Sequence, residues 1–313
     1  MRGWRSLLLV CLPAWAAIPP LPEGLRAVYN LEYDRAITLL EQETRERPDD
    51  PEVWNHLAQA LLHRALFAAG ALDSSSFTAG NSFLRRPKVP MGAEEMKRFD
   101  NAIARSLALC TERLRTNPAD AACLYASGVA HGHRAQMLMW VKKAWWDALR
   151  EGTRSREAHE KLLKLDPSLA DARLIPGLHE YIAGSLPWYI RAFAFLAGFR
   201  GDRRRGIEQM EEAVREGRKT AVEARVLLAV VLRREGEPAK AAPLMGELAE
   251  AFPGNYLYRI EEIRLLAEAG RALEARSRLD SLARSGLLPA AKIEELRAST
   301  ERILMQPRSR SQP

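Results

Sequence analysis

Apolar residues recur along most of this chain at intervals of three and four positions. The clearest stretch is 222–255, where two such runs are separated by Gly236 and closed by Pro253. The apolar positions of these runs are Leu228, Leu232, Ala241, Met245 and Leu248. Because this spacing places residues on one face of a helix, it predicts two amphipathic helices of about 13 residues each.

The two-helix unit is repeated along the chain. Residues 256–289 form the next copy, and an earlier copy contains Ala36 and Leu40 followed by Trp54 and Leu57. A proline follows a predicted helix end at Pro48, Pro118, Pro167 and Pro253. A recurring unit of about 35 residues indicates a stack of helical hairpins, because a single hairpin cannot bury its apolar face alone.

Several phrases resemble the tetratricopeptide repeat family. Residues 54–58 match the start of its pattern, residues 32–37 and 201–207 match its second part, and residues 157–167 are similar to the usual repeat end. The resemblance implies an all-α solenoid of helical hairpins, wound as a right-handed superhelix over residues 23–305. A polar helix over 288–305 would cap the stack, as repeat arrays require, and 306–313 is predicted to be a disordered tail.

Two stretches interrupt the repeats. Residues 69–93 are rich in turn-forming residues, which predicts a loop insertion that is either an ordered excursion or a lid over a ligand. The centre, 124–200, is atypical and aromatic, with one long helix predicted from Leu124 to Leu149. Residues 185–199 are apolar nearly all round but too short to span a bilayer, so they are predicted to form a buried core helix or a membrane-surface element.

The central segment also resembles, weakly, a eukaryotic repeat family linked to inclusion-body clearance and lipid droplets. The resemblance rests on Leu186-Pro187, on residues 198–203 and on Gly206-Ile207. This resemblance modestly favours a lipid-linked role.

The N-terminus has the order of features of a secretory signal peptide. Arg2 and Arg5 precede an apolar run from Leu7 to Trp15, and the small residues of 14–16 provide a cleavage site. An uncleaved first helix is the alternative, but the prolines of 13–22 argue against it. Residues 1–17 are therefore predicted to direct export to the periplasm or the exterior. Val10 and Leu12 do not suit lipidation of Cys11.

The excess of basic residues raises the question whether the protein binds nucleic acid. The chain carries 47 Lys and Arg against 40 Asp and Glu, a net charge of +7. Two arginines belong to the predicted signal peptide and two to the tail, so the excess of positive charge lies mostly at the two ends of the chain. The densest basic spot, Arg200 with residues 203–205, is a single inter-helix turn. Because phosphate backbones need several aligned cations, no nucleic-acid partner is predicted.

Catalytic and metal-binding patterns are missing. His159-Glu160 and His179-Glu180 begin like a zinc-protease helix, but neither has a second His one turn later. His131 and His133 point apart on a helix, and His56 and His63 lack a third ligand. There is no phosphate loop and no nucleophile elbow. The sequence therefore predicts a protein that is not an enzyme, without metal or cofactor.

Cys110 and Cys123 flank the turn at Pro118, on helices that should pack antiparallel. A disulfide is conceivable in an oxidising compartment, and small core thiols are the other interpretation.

The first helix of each pair should line a concave groove. Projection of the repeat onto the better copies places nine residues there: Tyr125, Val129, Leu174, Leu178, Tyr181, Val226, Val230, Leu257 and Ile260. Such an apolar lining favours an extended peptide, an amphipathic helix or a lipid-like ligand, unless the protein's own insertions fill the groove. Some family members grip a peptide C-terminus with Lys and Asn, a clamp that Asn55, Gln59 and Glu223 do not reproduce.

The leading hypothesis is thus an exported, non-enzymatic scaffold that binds a protein or peptide partner through this groove. The alternative is a lipid or hydrophobic small-molecule binding protein of the cell envelope that uses the aromatic centre, with contact to a membrane surface.

Overall fold

The computed structural model describes residues 17–72, 87–186 and 201–306 of the chain. Within these ranges every regular element is helical, and consecutive helices pack against each other. The thirteen α-helices of the described part are α1 (Glu23–Tyr29), α2 (Tyr33–Glu46), α3 (Pro51–Ala68), α4 (Ala93–Thr116), α5 (Ala121–Met137), α6 (Trp145–Leu165), α7 (Leu174–Gly184), α8 (Arg203–Glu216), α9 (Ala221–Arg234), α10 (Pro238–Ala251), α11 (Tyr256–Glu268), α12 (Ala272–Arg284) and α13 (Ala290–Met305). The predicted all-α helical-repeat solenoid is confirmed.

Helix ends follow local sequence chemistry. Asp50, Asp120, Asp202 and Asn255 each accept a backbone N–H bond at the start of a helix, which satisfies one of its orphan donors. After α9, α11 and α12 the chain turns through glycines in the left-handed region, for example Gly236 at φ 77°. Residues 222–255 thus contain α9 and α10, and residues 256–289 contain α11 and α12.

Glycines allow the helices of two hairpins to approach closely. A Cβ atom on Gly128 of α5 would lie 2.4 Å from the His159 ring of α6. A Cβ atom on Gly206 of α8 would lie 2.6 Å from the Gly177 carbonyl oxygen and from the Tyr181 nitrogen of α7. Both contacts are far inside van der Waals distance, so these crossings require a residue without a side chain.

The single helix that the sequence predicts from Leu124 to Leu149 is not present, so this prediction is wrong. α5 ends at Met137, a π-helix covers Leu138–Lys142, and Lys143 adopts φ 55° before α6 begins. The Lys143 amine lies over the rings of Trp140 and Trp145, 5.5 and 5.1 Å from their centroids. The apolar period continues through this reversal, so periodicity could not reveal that α6 folds back along α5.

The core consists of two main clusters. One contains the buried side chains of α2 to α5 and the other those of α7 to α11. The short helix α1 contributes to both, because Ala27 and Val28 pack in the first cluster while Leu25 and Tyr29 pack in the second. The N-terminal end of the solenoid therefore contacts its C-terminal repeats, and we call this contact between α1–α3 and α9–α11 the closure seam.

Several predictions concern residues that lie wholly or largely outside the described part. These are the signal peptide 1–17, the apolar segment 185–199 and the tail 306–313. Of the insertion 69–93, the ends are described: α3 stops at Ala68 and α4 starts at Ala93.

Candidate partner-binding cleft at the closure seam

An open cleft lies where the two ends of the solenoid meet. It encloses about 770 Å³ of empty space, part of which is open to solvent. Most of its walls are apolar, with a few polar side chains among them. The residues that line it are Val28, Tyr29, Leu31, Tyr33, His63, Leu72, Glu223, Val226, Met245, Asn255, Leu257, Tyr258, Ile260, Glu261 and Arg264. An apolar concave surface with few polar groups is typical of a binding site.

A polar cluster stands at one wall of this cleft. Glu223 Oε1 accepts hydrogen bonds from the Tyr29 hydroxyl and from Gln59 Nε2, the latter at 3.1 Å. One carboxyl group thereby joins α1, α3 and α9. Burial raises the pKa of Glu223, and it raises the pKa of Tyr29 as well, because both charged forms would lose their hydration.

Further bonds across the seam surround this cluster. Asn255 Nδ2 donates to the Tyr29 carbonyl oxygen at 2.7 Å, and the Gly254 amide donates to Asn30 Oδ1 at 3.1 Å. The Tyr29 and Phe252 rings pack with centroids 5.3 Å apart. Lys219, just before α9, forms an ion pair with Glu52 of α3. The seam is therefore a mixed contact, in which these polar bonds lie beside the burial of Leu25 and Tyr29 in the second core cluster.

Three histidines lie near one another on the α3 and α5 side of the seam. Burial lowers the pKa of all three: of His63 to about 4, of His133 to about 3, and also of His56. His56 and His63 additionally disfavour a charge on His133. Neutral imidazoles are thus the stable form in the closed structure.

The nine predicted groove residues do not form one surface. Val226, Leu257 and Ile260 line the cleft. Leu174 and Tyr181 are buried in the second core cluster, and the Tyr181 hydroxyl donates to Glu235 at 2.8 Å. Tyr125 packs edge-on to His159 and beneath the Lys219 amine, whereas Leu178 packs at the edge of the second cluster. Val129 and Val230 are half-buried.

Sequence reasoning missed the residues that the N-terminal end brings into the cleft. Tyr29, Leu31 and His63 belong to a part of the chain far from α9 and α11. In the sequence, Gln59 and Glu223 stand at positions comparable to those of a peptide clamp, and no local pattern indicates that they bond to each other. The unusual placement of polar groups on otherwise apolar helices was the one available signal.

The cysteines stand as free thiols. Cys110 and Cys123 are both buried and pack together with Ala126. They are close enough for a thiol–thiol hydrogen bond, and burial raises the pKa of both. Their bridging in an oxidising compartment remains a prediction.

The remaining candidates have structural partners. His131 Nδ1 lies 2.6 Å from Glu151, His159 Nδ1 lies 2.8 Å from the Ser155 carbonyl oxygen, and His179 contacts Arg156. Among the described side chains no group of three His, Cys, Asp or Glu is arranged to hold a metal ion.

The basic turn is partly neutralised, since Arg203 pairs with Glu235 and Arg204 with Glu208. Over the described ranges, no helix has the length and hydropathy needed to cross a bilayer.

Two solved structures are similar to this chain. A crystal structure of a thermophilic TPR protein from Thermus thermophilus is 16% identical with a TM-score of 0.40, over 78% of this chain and 97% of that chain. Yeast Tom70 is 11% identical with a TM-score of 0.26, over 92% of this chain and 88% of that chain. No curated protein sequence is similar enough to count as a relative. The tetratricopeptide repeat family matches residues 21–74 and 192–256. The family match confirms the tetratricopeptide-repeat resemblance seen in the sequence, and these two stretches of the chain are tetratricopeptide repeats.

Proposed function

We propose that this protein is an exported, non-enzymatic scaffold that binds a protein partner by seating an apolar peptide segment of it in the seam cleft. The observation that carries this proposal is the apolar cleft itself, whose walls come from both ends of the solenoid. A surface of this kind binds by shape and apolar burial and supplies no chemistry of its own.

The cleft suits side chains of a peptide better than a whole folded surface. Leu257, Ile260 and Val226 present half-buried aliphatic groups on neighbouring helices, and Glu261 and Arg264 border them. Aliphatic side chains inserted from a partner helix would bury this area, and each fully buried one contributes about 1.5–3 kcal/mol. The polar border would orient the backbone of the partner.

A hydrophobic small molecule is the second candidate. The concave, mostly apolar walls of the cleft, with few polar groups among them, are what such a ligand would require. The aromatic centre favours this candidate less, because its tryptophans are separated: Trp140 is buried in the first core cluster, whereas Trp146 is 80% exposed.

Photo-crosslinking in the native cells separates the two candidates. A benzoylphenylalanine in place of Leu257 should capture a defined protein, and the capture should disappear when Ile260→Lys places a charge in the cleft. The same probe in place of Leu273, which is 83% exposed on α12, is the matched control. Equal capture from both positions would contradict partner binding in the cleft. A co-purified lipid, seen by native mass spectrometry and lost in Ile260→Lys, would favour the second candidate.

Export has its own test. The mature protein isolated from the cell envelope should begin near Ile18. A mature chain that still carries Arg2 and Arg5 would contradict a cleaved signal peptide.

A further inference from the structure

The seam cleft contains a carboxyl group that has no opposite charge beside it. Glu223 lies in the cleft wall, and among the described residues it takes part in no ion pair. The other carboxyl group of the wall is paired, because Glu261 contacts Arg233 at 2.8 Å and Arg264 at 3.9 Å. Since the lining holds two carboxyl groups against the one guanidinium group of Arg264, the cleft is complementary to a cation.

The carboxyl group of Glu223 is hydrogen-bonded at one oxygen atom only. Oε1 accepts from the Tyr29 hydroxyl and from Gln59 Nε2, whereas Oε2 is buried and has no hydrogen-bond partner within the described structure. A buried acceptor of this kind has lost its hydration with nothing in return, which is why such atoms are rare in folded proteins. Because Glu223 lies in the cleft wall, a donor carried by the occupant of the cleft would complete its bonds.

Three tyrosines share the cleft wall with Glu223. They are Tyr29, Tyr33 and Tyr258, and Tyr258 is near enough to Glu223 and Tyr33 to interact with their charges. Phe252 packs against Tyr29 and Tyr258, with ring centroids 5.3 and 6.3 Å apart, and so supports both rings from behind. Aromatic rings attract cations through their electron-rich faces. The tyrosines therefore add to the preference of the carboxyl group for a positive charge.

The charges that border Glu223 from its own side of the seam do not neutralise it. Lys219, just before α9, pairs with Glu52 and lies 5.0 Å from the centroid of the Tyr125 ring. Asp171, which accepts a hydrogen bond from the Thr220 amide at the start of α9, adds a second negative charge that acts on Glu223. A cation that enters the cleft is thus attracted by both carboxyl groups.

From this arrangement we infer that the partner segment seated in the cleft carries a lysine or arginine side chain that Glu223 binds. The aliphatic side chains of the segment would lie against Val226, Leu257 and Ile260, while the cation would donate to Glu223 Oε2. Such a charge-assisted hydrogen bond is about twice as strong as a neutral one. The inference rests on the proposed function, since it specifies the chemistry of the partner.

Burial and the incoming cation act on Glu223 in opposite directions. Burial raises the pKa of this carboxyl group in the free protein. A cation in contact with it lowers the pKa again, because it stabilises the ionised form. The bound state is therefore an ion pair that is shielded from water on the side of the protein.

Peptide selection on the full chain tests the inference before the partner is known. A display library of random dodecapeptides is selected on the immobilised wild-type protein, and the bound sequences are compared with the unselected library. We expect enrichment of aliphatic residues at helical spacing, together with a lysine or arginine at a constant distance from them.

Two variants show whether Glu223 selects the cation. Glu223→Gln removes the charge but keeps an oxygen that can accept from Tyr29 and Gln59, so it should select aliphatic peptides without enrichment of lysine or arginine. Glu112→Gln is the matched control, because the Glu112 side chain is 68% exposed on α4 and does not line the cleft. It removes the same charge and should select the same peptides as the wild type.

A second measurement uses the wild-type protein, so that the test does not depend on the folding of a variant. The strongest selected peptide is compared with an analogue in which norleucine replaces the lysine, or citrulline the arginine. Isothermal titration calorimetry should show that the analogue binds about tenfold to a hundredfold more weakly. Glu223→Gln should bind the peptide and its analogue with nearly equal affinity, as expected of two groups in contact.

The inference and the proposed function fail in different ways. Aliphatic peptides without an enriched cation, or a cation that stays enriched in Glu223→Gln, would overturn the inference and leave the proposed function standing. An analogue that binds the wild type as tightly as the peptide does would have the same meaning. A selection that yields no apolar peptides, or that Ile260→Lys does not change, would refute the proposed function and the inference with it.

Discussion

The contact of Gly128 with His159 provides a direct test of how the solenoid is packed. A Cβ atom at position 128 would lie 2.4 Å from Cε1 and 2.5 Å from Nδ1 of the His159 ring. That ring is 1% exposed, lies 2.8 Å from the Ser155 carbonyl oxygen and packs edge-on against Tyr125. It has no room to rotate away, so Gly128→Ala must push α5 and α6 apart.

The expected change in the free energy of unfolding is the difference between the cost of overpacking and the gain from replacing a glycine in a helix. Overpacking of a close contact destabilises a core by about 1–3 kcal/mol. Replacement of a glycine by alanine inside a helix returns about 0.5–1 kcal/mol, because the unfolded chain loses less freedom on folding. The free energy of unfolding should therefore fall by up to about 2.5 kcal/mol, with a central value of about 1.3 kcal/mol.

Urea unfolding followed by far-ultraviolet circular dichroism measures this change. Gly152→Ala is the matched control, because Gly152 lies within α6 and a Cβ atom there would meet no atom within 4 Å. The control should be more stable than the wild type by about 0.5–1 kcal/mol. The two alanine substitutions are thus expected to differ in sign.

A second substitution identifies the source of the strain. If the His159 ring is the obstacle, Gly128→Ala should cost less in a His159→Ala background than in the wild type. The reasoning is refuted if Gly128→Ala stabilises the protein as much as Gly152→Ala does, or if its cost is unchanged without the ring.

Three further outcomes are expected. Gly206→Ala should destabilise by about 2 kcal/mol or more, measured by the same urea unfolding, because its Cβ would meet backbone atoms of α7 that cannot rotate away. The free energy of unfolding should decrease as the pH falls from 6.5 toward 4, because the pKa of His63 is lowered only in the folded protein. His63→Asn should reduce the slope of this decrease by up to about 1.4 kcal/mol per pH unit. An unchanged slope in the variant would count against a role of His63. Cys110 and Cys123 should be bridged in protein from an oxidising compartment, detectable as a mass two hydrogens lower than that of the reduced chain, whereas two alkylatable thiols after denaturation would rule the bridge out.

Local structure was largely predictable from the sequence. The three- and four-residue apolar spacing that predicted helices in 222–289 corresponds to α9 to α12, and Gly236 turns the chain where its position suggested. Such elements follow from interactions between near neighbours in the chain, namely helix periodicity, capping and backbone freedom. The reversal at 138–144 was not predictable, because an apolar run has the same period whether it continues or folds back.

The candidate site had a different origin. Val226, Leu257 and Ile260 were expected in a groove from their repeat positions, and they line the cleft. Tyr29 and His63 join them only because the N-terminal end reaches the C-terminal repeats, nearly 200 residues along the chain from Tyr29 to Glu223. The sequence alone therefore determined the helices of the regular repeats over 222–289, their pairing and the apolar face of each. The tertiary structure decided that the solenoid closes upon itself, because the relative angles of successive hairpins accumulate along the stack and no local pattern encodes their sum.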